Sequence, residues 1–171
     1  MNYYNKFLDF LRKNNLYNQK SFAFISYHTT NIDYNEETKD QIGYTYTKNN
    51  EDKIIDFKMC VPTIEDEKTL IINIRNYIYA LFLYEMLGKK EKIGEVQEAI
   101  ALFYERLYIL GEEFSIKEYN KFLAEEINER NDENFTKGAK LSIELLNYYD
   151  ESIEKLTNRA SAMTKKNKIN Q

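Results

Sequence analysis

"NIRNYIYALFLYEMLGKK", residues 73–90, decides how this chain is read. From Leu70 to Leu87 the sequence is apolar nearly all round a helix and stops at Gly88. A run of that length could cross a bilayer. Asn73, Arg75, Asn76 and Glu85 interrupt it, and each would be expensive in lipid. The better expectation is a helix enclosed by its own fold, with strands on one side and helices on the other. Arg75, Tyr79, Phe82 and Met86 share one stripe by the three-and-four rule. A partly buried Arg there needs a carboxylate or several acceptors, because an unpaired buried charge is costly.

On the N-terminal side, "TIEDEKT" (63–69) offers Thr63 as an N-cap, with acids in the first turn where the helix dipole favours them. Before it, "SFAFISYHT" (21–29), "IGYTYTKN" (42–49) and "KIIDFKMCVP" (53–62) are rich in β-branched and aromatic residues over strand lengths. Asn31-Ile32-Asp33 and Asn49-Asn50-Glu51-Asp52 read as the turns between them, and Pro62 ends the third strand because it cannot donate to a ladder. The opening "NYYNKFLDFLRKNN" places Tyr4, Phe7, Leu8 and Leu11 at helical spacing, with Asn14-Asn15 as a stop.

On the C-terminal side everything reads as helix. Residues 91–110 carry Ile93, Val96, Ile100, Phe103, Leu107 and Leu110 in a clean apolar stripe that ends at Gly111. Ser115 can cap "SIKEYNKFLAEEINER", with Glu118 as the other half of a capping box. A final helix follows, with Leu141, Leu145, Tyr148 and Tyr149 toward the core. The expected fold is α+β: an N-terminal helix, a small three-stranded antiparallel sheet, then a mostly helical C-terminal two-thirds around the central apolar helix. Residues 1–160 are expected to form a single domain, and 161–171 a basic, frayed tail.

Composition narrows the function. Fifteen Tyr and ten Phe stand beside no Trp. With abundant Asn, Lys and Ile, this fits the codon bias of an AT-rich bacterial or phage genome. Exposed Tyr would also suit partner binding, since its ring buries while its hydroxyl stays wet. The single Cys60 and single His28 permit neither an internal disulfide nor a Cys- or His-pair zinc site. No signal peptide is visible, so a cytoplasmic protein is expected.

Charge is uneven. The last seventeen residues hold five basic side chains and no acid, which leaves the rest strongly acidic. An acidic body disfavours nucleic-acid binding, save weakly through the tail, and suits a basic protein partner. His28 and Cys60 fall on separate expected strands, and a buried thiol beside a strand-end imidazole is the simpler reading than a nucleophile pair. "NIDYNEETKD" (31–40) lacks the spacing and glycine of a calcium loop. No glycine-rich phosphate loop or nucleophile elbow occurs.

A strand, a charged turn, an apolar helix ending A-L-x-L-Y-x-x-L-G-K-K and a next helix with E-x-x-x-x-F-Y-E span residues 54–110. This order resembles small bacterial and phage zincin-like metallopeptidases. In that family the helix carries H-E-x-x-H: two His bind zinc and the Glu activates the zinc-bound water. Carried onto this chain, the first His is Arg75, the catalytic Glu is Asn76, and the second His is Tyr79. The third-ligand Glu falls on Glu98, with Glu95 nearby. Arg repels zinc, Asn cannot take a proton, and Tyr is a poor ligand at neutral pH with a pKa near ~10.

The resemblance therefore implies a degenerate member with no catalytic residue, cofactor or metal. Arg75 would replace the zinc charge in kind and pair with Glu98, helped by the Tyr79 hydroxyl. Alternatively, Glu98 belongs to a solvated acidic row with Glu91, Glu95 and Glu105. The expected function is a pseudo-enzyme that binds another protein through an acidic, Tyr-rich surface. A phage or mobile-element inhibitor of host defence, of the anti-CRISPR type, is its concrete form. The alternatives are an active metallopeptidase with ligands from Glu95, Glu98, Glu105 and His28, or a structural component of a phage particle or toxin system.

Overall fold

Asparagine starts the first two helices. The Asn2 side chain accepts from the backbone N–H groups of Tyr4 and Asn5, opening α1 (Tyr3–Lys13). Asn18 does the same for Lys20 and Ser21, opening α2 (Gln19–Tyr27). A cap of this kind satisfies N–H groups that have no partner within the helix. In this computed structural model the described residues are 2–90, 94–133 and 135–140. The chain divides into two compact units, Met1–Glu91 and Lys92–Gln171.

α2 corrects one expectation. The alternating aromatics of residues 21–29 predict a strand, yet 21–27 are helical. Ser21 and Ile25, four apart, are the buried pair, as a helical period requires, and the Asn18 cap supplies the partners that the first turn needs. What remains for the sheet is β1 (Thr29–Ile32), which includes Asn31-Ile32, expected as a turn.

β2 (Gly43–Lys48) and β3 (Ile54–Pro62) form the expected hairpin. Its turn is built by Asn49, whose side chain accepts from Glu51 N and Lys53 N. The strand order is β1-β3-β2. β2 runs antiparallel to β3, from Gly43↔Cys60 to Lys48↔Ile54. β1 lies on the other side and runs parallel, from Thr29↔Met59 to Ile32↔Pro62. The α+β class stands as expected, but the sheet is mixed rather than antiparallel.

Phe57, Met59 and Val61 alternate onto the buried face of β3, while Lys58 is exposed. The central helix α3 (Glu67–Glu85) packs on this sheet and also contacts α1 and α2. It is enclosed, as the opening stretch implied. Its cap is Asp66, not Thr63. Asp66 accepts from Thr69 N at 2.8 Å, and Thr69 Oγ1 accepts from Asp66 N at 3.0 Å, a closed capping box. Thr63 instead extends the ladder, donating its N–H to Ile32 O.

At the other end Gly88 takes a left-handed φ of +79°. The turn returns the chain to the sheet: Gly88 N donates to Ile54 O, and Ile54 N donates to Lys89 O. No helix among the described residues is long and apolar enough to cross a membrane.

In the second unit α4 (Gly94–Leu110) ends at Gly111, whose φ is +57°. Val96 and Ile100 are buried as expected, but so are Ala99, Ala101, Leu102 and Tyr104, so the buried face is wider than one stripe. Ser115 caps α5 (Ile116–Arg130) by accepting from Glu118 N. Ala99, Leu102, Tyr119, Leu123, Phe135 and Ala139 form the core, pinned by the Tyr119 hydroxyl donating to Ala99 O at 2.7 Å. Residues 135–140 are helical. Ile93, Leu141, Leu145, Tyr148, Tyr149 and the tail 161–171 lie outside the described residues.

Candidate functional site

The first unit holds a cavity of about 430 Å³, walled by α1, α2, β1, β3 and one face of α3. α3 contributes Asn73, Asn76, Tyr77 and Ala80, at helical steps of three and four. Phe7, Phe22, Ile25, Met59 and Val61 supply the apolar wall. Ser26, Thr29, Asn31 and Thr63 add small polar groups, and no charged side chain lines the space.

Asn73 stitches the helix to the end of β3. Its Nδ2 donates to Pro62 O at 2.8 Å and to Thr69 O at 2.9 Å. Asn76 Nδ2 donates to Ile72 O at 2.9 Å. Tyr77 lies edge-on to Phe7, with ring centres 5.8 Å apart, and only 6% of it is exposed. Its hydroxyl finds no hydrogen-bond partner among the described residues. Burial pushes the phenol pKa well above its ordinary range, and the neighbouring Tyr17 adds to the shift. The Ser21 hydroxyl works against it only from outside hydrogen-bond geometry, being turned to Asn18 O.

The positions singled out in the sequence separate around the helix. Asn76 is buried and faces the cavity. Arg75 and Tyr79 are half-buried, and Tyr79 packs toward β2, its ring centre 5.6 Å from that of Tyr44. Glu98 belongs to the second unit, where it forms an ion pair with Arg130. Arg130 Nε also donates to Glu126 at 3.2 Å, and its guanidinium lies 4.4 Å from the centre of the Phe135 ring. Glu98 is thus held by α5, a partner on no recognisable motif spacing.

The residues named for an alternative metal site divide in the same way. His28 caps α2, with Nδ1 2.8 Å from Phe24 O and Nε2 3.3 Å from Asp56. The register sets Cys60 beside Thr30 and Gly43 rather than His28. Glu98 and Glu105 stand two turns apart on α4, roughly 10 Å along its axis. The side chains of Glu91 and Glu95 lie outside the described residues. Among the described residues no three His, Cys, Asp or Glu side chains gather as a metal-ligand set.

The second unit carries a different feature. Between residues 111 and 133 stand eight acidic side chains against three basic ones. Glu112, Glu113, Glu118, Glu125, Glu129 and Glu133 are exposed. Glu125 and Glu129, four apart on α5, share one face. Tyr27, 87% exposed at the end of α2, is the most open of the large apolar side chains in the first unit.

The asparagines of α3 were visible in the sequence as polar interruptions. That they line a cavity was not, because its walls come from five elements. No protein-family model, no curated protein and no solved structure matches the chain.

Proposed function

We propose that this chain acts by binding a basic protein surface rather than by catalysis. The exposed face of α5 carries this reading: Glu118, Glu125 and Glu129 stand open to solvent, with Lys121 the one basic side chain at the same helical spacing. Such a field steers a basic partner and fixes its orientation. Asn76, at the position that the zincin resemblance gives to the general base, has no ionisable group and spends its amide N–H on a backbone carbonyl. A non-catalytic zincin-like scaffold is consistent with that chemistry. An inhibitor made by a phage or mobile element, directed at a host defence protein with a basic nucleic-acid groove, is the concrete form.

The test is affinity capture of the tagged chain from a low-GC bacterial lysate in moderate salt, with mass spectrometry of what remains. The expected result is one stoichiometric basic partner, lost in the Glu125→Lys/Glu129→Lys double variant while its melting temperature holds. Capture that is indifferent to this reversal refutes the acidic-face reading. One bound zinc per chain with chelator-sensitive peptide hydrolysis refutes the pseudo-enzyme.

A further inference from the structure

The two asparagines facing the cavity are unusually committed. Asn73 is 8% exposed and Asn76 5%. Their NH2 groups contact backbone carbonyls, and a carbonyl oxygen can be met only by an N–H, which fixes the end of each amide that is oxygen. Neither Oδ1 receives an N–H or O–H from a described residue, and neither is among the atoms sealed from solvent. Both side chains line the cavity, and the oxygens are their polar atoms not already spent on the backbone.

With each Nδ2 already engaged by a backbone carbonyl, each Oδ1 keeps its acceptor capacity for a group in the cavity. Thr29 Oγ1 donates to Ile25 O, which leaves its lone pairs as further acceptors on the same wall. The site therefore offers acceptors, aromatic and aliphatic surface, and no charge. Its volume falls within the roughly 300–1,000 Å³ of small-molecule sites.

We propose that this cavity binds an uncharged small molecule with a flat apolar body whose N–H or O–H groups donate to Asn73 Oδ1 and Asn76 Oδ1. A cation would be buried with no carboxylate on the wall, and an anion would face carbonyl oxygens, so both are disfavoured. The site lies in the first unit and the acidic face in the second, so the two readings fail separately.

The probes are indole and benzamide, each against its N-methylated counterpart (1-methylindole and N,N-dimethylbenzamide). The readout is the side-chain NH2 resonances of Asn73 and Asn76 in the full chain. Indole and benzamide should give saturable shifts at both amides, with affinities about tenfold above the methylated forms, the worth of one hydrogen bond. Asn76→Leu should bring the parent compounds down toward the methylated ones without lowering the melting temperature. Ala80→Met should fill the space and abolish binding of all four. No saturable shift with any probe overturns the site, and equal affinity for methylated and parent compounds overturns the role of the amides. That comparison stands in the unmodified protein even if a variant does not fold.

Discussion

At the scale of single residues, α3 mixes groups that stabilise the fold with groups that do not. Tyr77 is the clearest of the second kind: its ring packs, but its hydroxyl is buried without a partner among the described residues. Tyr77→Phe should raise stability by about 1 kcal/mol, measured by urea unfolding. The same variant should change the alkaline limb. Burial holds the folded phenol pKa above 10.0, so the folded state keeps a proton that the unfolded chain loses. That contribution is intact below pH 10 and is lost as pH climbs from there toward the folded value. Stability of Tyr77→Phe should therefore fall less steeply above pH 10. Asn73 is of the first kind, tying α3 to Pro62 O and Thr69 O. Asn73→Ala should cost roughly 2 kcal/mol, for two hydrogen bonds and a small void.

At the scale of elements, caps and periodicity carried most of the information. α1, β2, β3, α3 and α5 follow from apolar spacing, the Asn49 turn, Pro62 and Ser115, all local signals. Ser115→Ala should lower stability by about 1 kcal/mol in thermal unfolding, since the hydroxyl is the N-cap of α5 and accepts from Glu118 N. α2 was not legible, because S-F-A-F-I-S-Y satisfies a period of two and a period of four together, and the deciding Asn18 lies outside the run. The cap lies at Asp66, three residues past Thr63, because Thr63, Asp66 and Thr69 are all good capping types and only the sheet register claims the first. Of the site, the polar breaks at Asn73 and Asn76 could be read. Their enclosure could not, because it depends on α1, α2 and β1 converging on α3, which no local spacing encodes.

At the scale of the whole molecule, the chain gives each unit its own buried aromatics and its own polar stitches. The three strands found among the described residues, α3 and the cavity all lie within Met1–Glu91. Expressed alone, this segment should unfold in one cooperative transition in a denaturant titration; a broad, non-cooperative loss of signal would show that its core needs the second unit. The mixed sheet has a consequence for the order in which that segment assembles. β2 and β3 are joined by a tight turn and can zip from it, whereas Thr29 must wait for Met59, thirty residues further on. Loop closure over that distance is slower and gains nothing until β3 is in place. β1 leaves the ribosome before either of its fellow strands, yet it is expected to be the last to be paired. Its edge would then be the one left open longest while the protein is being made.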